Sequence, residues 1–492
     1  MAANDRAAQA DSPAKSRPQA SAAPGSVLTV GLAVLLAWQM MVVIDGTIVT
    51  IALPDIRTSL HFSEDGLSWV VNAYSLVFGG LVLLGSRAGD ALGRRRMMVT
   101  GVLVFTAASA MGFFAASPEM LIAGRVIQGL GAAMAAPSTL SLITTNFAEG
   151  PVRDRALALS AAVAGLGGSL GLILGGVLTS WLSWHWIFFV NVPIGLTVAF
   201  LAPRVVRESP RIPGKLDIGG AAASTLGVTV LVFGFIRASD FGWTNVRTIG
   251  SFLAAIVLLA AFVVIERRSD HPLIPGRLLA DRDRVVGLGL MLLVPIVMFG
   301  TFYFLSNYLQ DLLKMSAIRA GFAFLPFSGV VVACSKFVPD TARKLGPRIV
   351  IAAGSLCMIL GALVLSQLDD SSSYWLIVLP GMVLTAAGVA MNYVSLNLLI
   401  LGTVAADDSG IASGLIQTMQ QVGSAIGVGL LVSVFAARER AALRKGVDAA
   451  LAVIDGLQAG FIAAAIVSAV VMVVALIAIR RKVVVGNAPV IV

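Results

Sequence analysis

Fourteen apolar runs of roughly 18 residues or more order this chain, and a run of that length lets a helix cross the hydrocarbon core of a bilayer. They fall at 28–53, 68–87, 97–116, 118–145, 157–180, 186–203, 217–236, 248–265, 285–309, 319–337, 348–367, 374–403, 410–436 and 458–480. The run at 186–203 is the weakest, being short and carrying Asn191 and Pro193. The implied fold class is an all-α integral membrane protein. Composition agrees: 12% of the 492 residues are charged and 58% apolar, whereas a soluble domain carries about 25% charged residues. A soluble, disordered or disulfide-stapled chain is excluded. Cys334 and Cys357, the two cysteines, sit in apolar runs and read as reduced packing residues.

Residues 1–26 lack apolar periodicity and read as a disordered cytoplasmic tail. The run that follows, beginning at Val27, is too long for a signal peptide. With the N-terminus inside, segments on the inner side hold 25 Lys and Arg and those on the outer side 9. That asymmetry predicts an even number of spans with both termini cytoplasmic in a multi-pass protein of the cytoplasmic membrane; segment 438–448 fits it least. The net charge of +9 belongs to this bias, and no nucleic-acid partner is expected.

A weak repeat divides the spans. Ala91–Arg96 reads ALGRRR after the second span and Lys344–Arg348 reads KLGPR after the tenth, with Gly93 and Gly346 offset by 253 residues. The same offset brings the glycine-rich fifth span onto the thirteenth. The expected layout is a six-helix bundle over 27–203, two additional helices with linkers over 204–284, a second six-helix bundle over 285–482, and a tail over 483–492. Transporters are often built from such repeats, with substrate held at the repeat interface.

Asp45 is the one acidic residue well inside a span. Intramembrane ionisable groups are expensive and mark function. A buried carboxyl resists ionisation and a nearby cation favours it, so a carboxyl balanced between the two can load and release a proton. Arg125 supplies a candidate cation. At 1.5 Å per residue, Asp45 lies roughly 12 Å and Arg125 roughly 10 Å below the same membrane face. The two are expected to pair, with protonation of Asp45 releasing the arginine.

The loop Ser86–Arg96 holds Asp90 beside a cluster of arginines, and Gly93 permits a tight turn between two spans. Asp90 is expected to dock on a helix N-terminus and, with Gly93 and Arg94, to latch one face. Gly167, Gly171 and Gly175 recur every four residues and form a close-packing face, expected to seal one end of the pathway; Gly423 and Gly427 look like a second such face. Asn72, Tyr74, Gln128, Asn307, Tyr308, Asn392, Tyr393 and Asn397 are candidates to line a central cavity suited to a bulky lipophilic substrate. The nucleotide-binding glycine loop is absent. His61, His185 and His271 lack zinc spacing, and no nucleophile–base arrangement stands out. No cofactor or metal is expected, and no enzyme activity.

These motifs resemble the major facilitator superfamily, and within it the fourteen-span drug:proton antiporters. Ile44–Pro54 is similar to that group's first-span motif, with Asp45 at the acidic position. Residues 86–96 match the superfamily's loop motif, Arg125, Gln128 and Gly129 its fourth-span arginine motif, and Gly167–Gly176 the fifth-span antiporter motif. Trp184–Gly195 resembles the entry to span six and Ser409–Gly423 span thirteen. Four positions depart from the patterns: Thr50 for Asn, Ser86 for Gly, Leu172 for Pro and Gln420 for a basic residue. The resemblance implies a monomeric, proton-driven exporter of lipophilic drugs working by alternating access. With no membrane carboxylate beyond Asp45, neutral, zwitterionic or monocationic substrates are expected. The rival readings are a dedicated exporter of one host metabolite, a symporter, and a transporter-like receptor or scaffold without flux.

Overall fold

The computed structural model describes residues 25–480, apart from 148–150, 210, 212–216, 270–271, 275, 370–371, 403 and 405–408. The tails expected at 1–26 and 483–492 lie outside the described residues, except that Gly25 and Ser26 open the first helix; His271 also lies outside them. Every described element is helical. In order they are α1 (Gly25–Leu60), α2 (Glu64–Leu92), α3 (Arg94–Phe113), α4 (Pro118–Asn146), α5 (Pro151–Trp181), α6 (Trp186–Phe189), α7 (Asn191–Val205), α8 (Ile218–Phe241) and α9 (Val246–Arg268). Then come α10 (Gly276–Leu279), α11 (Arg282–Asn307), α12 (Ala317–Ala323), α13 (Leu325–Leu345), α14 (Pro347–Leu365), α15 (Leu379–Leu401), α16 (Ser409–Arg444) and α17 (Ala449–Ala478). Single π-helical turns at Tyr308–Leu312 and Tyr374–Val378 extend α11 and precede α15.

Among the described residues, 12 stretches are long and apolar enough to cross a membrane. The expected run at 186–203 is one of them, although α6 and α7 meet in a break at Val190. Two expected runs, 157–180 and 217–236, do not reach that criterion: their described apolar parts are Leu170–Trp181 and Gly219–Phe235, within helices of 31 and 24 residues.

Local rules explain the helix ends. Ser63 and Ser117 cap α2 and α4 through their side-chain oxygens, and Asp281 caps α11 the same way. α2 passes into α3 through Gly93 alone, at φ 110°, and α13 into α14 through Gly346 alone, at φ 84°. A side chain is strained at either angle.

Helices α1–α7 pack mainly on one another, led by α2 on α4, α3 on α4 and α1 on α5; α11–α17 do the same, led by α14 on α15 and α11 on α16. The repeat is visible in this packing. A Cβ on Gly171 or Gly175 of α5 would lie 2.8 Å from the carbonyl of Ile44 or 2.6 Å from that of Ile48 on α1. Gly427 of α16 meets α11 alike, 2.5 Å from Ile296 Cα. Lipid gives two apolar helices no hydrophobic reason to associate, so close backbone approach at small residues carries such contacts.

The two groups meet where α2 faces α16, where α5 faces α12 and α13, and along α1 and α11. α8 lies over the first seam: buried Val232 packs with Leu76 of α2 and Ala425 of α16. α9 rests on α8 and exposes Leu253, Ile256 and Val257. The bundle end carrying the α2–α3 turn is called the turn end below, and the end carrying the α1–α2 connection the far end.

Candidate functional site

Asp45 and Arg125 come together inside the first helix group, with 0% and 1% of their side chains exposed. Arg125 Nη1 donates to Asp45 Oδ2 at 2.5 Å. The other carboxylate oxygen accepts two amides: Gln128 Nε2 at 3.1 Å and Asn191 Nδ2 at 2.8 Å. The carboxylate on α1 is thus held by donors from α4 and from α7. Each is a charge-assisted bond in a place where an unpaired charge would be costly.

The arginine has supports independent of Asp45. Its Nε donates to the Val70 carbonyl at 2.8 Å, its Nη1 to Gln128 Oε1 at 2.9 Å, and its guanidinium lies 4.4 Å from the centre of the Tyr74 ring. A cation over an aromatic face is stabilised by the ring quadrupole. Gln128 in turn donates to Ser109 Oγ at 2.8 Å, and Ser109 donates to the Phe105 carbonyl. Arg125 is therefore fixed by α2 and α4, while Asp45 reaches them from α1.

The paired depths of Asp45 and Arg125 were legible in the sequence. Asn191 and Ser109 were missed. The available signal for Asn191 was the one it gave as a defect, a polar side chain in the least convincing span.

The residues expected to share a cavity are scattered. Gln128 belongs to the buried network. Tyr74 is 2% exposed, with its ring under Arg125 and its hydroxyl without a hydrogen-bond partner; Asn72 is fully buried with both amide atoms unpartnered. Tyr308 is fully buried and donates to the Asp369 carbonyl at 2.9 Å, a tie within the second group. Asn392 lies between α14 and α15, accepting from Ser355 at 3.3 Å and donating to the Gly388 carbonyl at 2.9 Å. These burials correct the expectation that Tyr308 and Asn392 form a cavity wall: their polar atoms are consumed by helix packing. Asn307, Tyr393 and Asn397 are half-buried, and Asn397 donates to the Tyr393 carbonyl.

At the turn end, Asp90 accepts from Arg94 Nε at 2.8 Å on the next helix. The carboxylate seated on a helix N-terminus is instead that of Glu208, beyond α7, which accepts from the backbone N–H of Arg95 at 2.8 Å and of Arg96 at 3.2 Å. A Cβ on Gly93 would lie 2.9 Å from Glu208 Cδ, so this glycine is needed for space as well as for its φ. Arg87 donates to the Pro272 carbonyl at 3.0 Å, joining the loop region to the segment after α9.

The expected glycine seal divides in two. Gly167, Gly171 and Gly175 press α5 on α1 within one group. The close approach between groups belongs to Gly176, whose Cβ would lie 2.5 Å from the Ala317 carbonyl, and to Gly321, 2.7 Å from that of Leu172. Toward the turn end from this seam, a side chain at Gly46 or Gly168 would meet nothing within 4 Å. At that level both α1 and α5 border open space.

Comparison with known proteins follows the geometry. The pattern described as Major Facilitator Superfamily matches residues 35–428. A cephamycin export protein of Amycolatopsis lactamdurans is 39% identical over 83% of this chain and 85% of its own length. A puromycin resistance protein of Streptomyces alboniger is 36% identical over 88% and 86%. An uncharacterised transporter of Mycobacterium tuberculosis is 36% identical over 81% and 76%. Among solved structures, a bacterial homologue of the human lysosomal transporter Spinster, inward-facing and unoccupied, superposes with TM-score 0.65 at 17% identity, covering 93% of this chain and 98% of that one.

Proposed function

The chain belongs to the Major Facilitator Superfamily, and from that premise we propose that it is a proton-coupled exporter of lipophilic drugs or antibiotics. In this reading it crosses the cytoplasmic membrane fourteen times, as two six-helix bundles joined by α8 and α9, with the turn end and both termini cytoplasmic. It acts as a monomer, needs no cofactor and works by alternating access. Relatives named for export of cephamycin and resistance to puromycin and lincomycin support the drug-efflux class.

The observation that carries the coupling is the buried Asp45 carboxylate, held by Arg125, Gln128 and Asn191 from two other helices. Protonation removes the charge those three donors serve. Because Arg125 keeps Val70, Gln128 and the Tyr74 face, the partner set free is Asp45, and with it α1, rather than the arginine. α1 also touches the second group, so loosening it biases how the two groups meet. Proton and substrate drive a cycle only if each favours a different arrangement. A proton arriving from outside would favour the state open to the cytoplasm; its departure inward and re-formation of the pair would favour the outward state. The substrate class is neutral, zwitterionic or monocationic.

The test is efflux of a lipophilic fluorescent dye from a pump-deficient host, with and without a proton uncoupler. Uncoupler-sensitive efflux that Asp45→Asn abolishes at normal expression is expected. Continued uphill efflux by the Asn variant would refute the mechanism. Relatives named for one compound, cephamycin or tetracenomycin C, favour one second reading, a dedicated exporter of a single metabolite. A substrate panel in the same host separates the two.

A further inference from the structure

Pro54 lies inside α1, nine residues beyond Asp45. Having no N–H, it cannot bond the carbonyl four residues earlier, so the Thr50 carbonyl has lost its partner within the helix. A buried acceptor left in that condition is costly. The second helix group supplies the donor. Ser306 Oγ, on α11 and 1% exposed, donates to the Thr50 carbonyl at 3.2 Å. Gln310 Nε2, on the π turn that follows, donates to the Ile51 carbonyl at 3.2 Å and to Ser306 Oγ at 3.1 Å. Nearby, Ile318 N–H donates to Ser180 Oγ of α5 at 3.1 Å, and Arg57 lies 3.8 Å from Asp311 across the same seam.

Above these contacts, at the far end, is a cleft of ≈ 430 Å³ between the groups, lined by Asp55, Arg57, Thr58, Gln310, Asp311 and Met315 among others. Below them, toward the turn end, a Cβ on Gly46 or on Gly168 would meet nothing within 4 Å. Thr50 is five residues from Asp45, about 7.5 Å along the helix. The two carbonyls thus stand between a polar cleft and the level of the buried carboxylate.

We propose that Ser306 and Gln310 are gate-positioning residues: they clamp the Thr50 carbonyl that Pro54 leaves without a helix donor, together with the neighbouring Ile51 carbonyl, and close the far-end route to Asp45. The clamp acts on the helix that Asp45 protonation loosens, which ties it to the export reading above. Opening exchanges the two side-chain donors for water from the cleft, so the carbonyls stay satisfied in both states. A proline in α1 therefore favours a reversible seam: with an N–H at position 54 the Thr50 carbonyl would already hold a helix bond and Ser306 would add less, and an apolar seam would offer water no partner.

The test uses the purified full chain with Cys334→Ser and Cys357→Ser, carrying Thr50→Cys as reporter. Thr50 is 6% exposed, so a small water-soluble maleimide reaches it only when the seam opens. Ser306→Ala and Gln310→Leu are each expected to raise the alkylation rate roughly fivefold, the value of one hydrogen bond. Ser306→Thr, which keeps the hydroxyl, is expected to restore the parental rate. Pro54→Ala returns an N–H to the helix, so Ser306→Ala on that background adds little, the non-additivity of residues that share one contact. A second reporter, Ser355→Cys, buried inside the second group, keeps its rate unless the variant unfolds. An unchanged Thr50→Cys rate in Ser306→Ala overturns the clamp. So does an equal increase with and without Pro54. Dye efflux by the parent chain is scored separately: a clamp that responds as stated in a chain without uncoupler-sensitive efflux keeps this inference and removes the export reading.

Discussion

Asp45 sits in a cage of three side chains, Arg125 and Gln128 from α4 and Asn191 from α7, and each member has a measurable weight. Arg125→Lys keeps the charge but cannot donate in three directions with a planar fork. It is expected to lose the Val70 and Gln128 bonds and about 1.5–3 kcal/mol of stability for each, the range for bonds made by a charged group. Thermal unfolding of the purified chain reads this. Asn191→Leu removes one bond to a charged oxygen and is expected to cost about 1.5–3 kcal/mol, with efflux falling alongside; an unaltered unfolding midpoint would remove Asn191 from the cage. Outside the spans, His185 stacks on Trp184 at 3.7 Å, and burial holds its imidazole below the usual value against a smaller opposing effect of a backbone bond at Ala115. A group whose folded value is depressed resists protonation in the native state, so its contribution is present at neutral pH and is lost as pH falls through about 6.5, the unfolded value. The acid-side loss of midpoint is expected to be smaller in His185→Phe.

At the scale of elements, glycines that look alike in the sequence do opposite things. Gly171 is pressed on α1 so closely that a Cβ would overlap Thr47 Oγ1 and stand 2.8 Å from the Ile44 carbonyl. Gly168, three residues away, faces nothing within 4 Å. Gly171→Ala is expected to cost about 1–3 kcal/mol through overpacking, and Gly168→Ala to gain up to about 1 kcal/mol of helix propensity. Unfolding midpoints moving in opposite directions would confirm the division; two losses of equal size would contradict it. The four-residue spacing was legible because small residues mark close helix approach in lipid. Which helix would be approached was not, and the seal expected of this face lies partly at Gly176 and Gly321 instead.

For the whole molecule, the distinctive feature is α8, which touches both helix groups along the α2–α16 seam. Val232 is fully buried there. Val232→Ala is expected to lower stability by about 1 kcal/mol through lost packing and, in the alternating-access reading proposed above, to alter the balance between the two arrangements of the groups. Maleimide labelling at Thr50→Cys would report that balance, and an unchanged rate would make α8 a passive cover.

The sequence suggests fourteen spans, where 12 stretches among the described residues are long and apolar enough to cross a membrane; the helical membrane class, the Asp45–Arg125 depth match and the repeat that recurs as α5 on α1 and α16 on α11 were determined by the sequence alone. Each depends on local composition or on spacing along one helix, where 1.5 Å per residue converts position into depth. What only the tertiary structure decided is which distant groups meet. Asn191 reaches Asp45 across 146 residues, Glu208 rather than Asp90 seats on α3, and Ser306 finds a carbonyl that a proline freed 252 residues earlier in the chain. The physical reason is common to all three. A buried polar atom is costly without a partner, but its type and position state only the need, and the packing of whole helices selects which partner arrives.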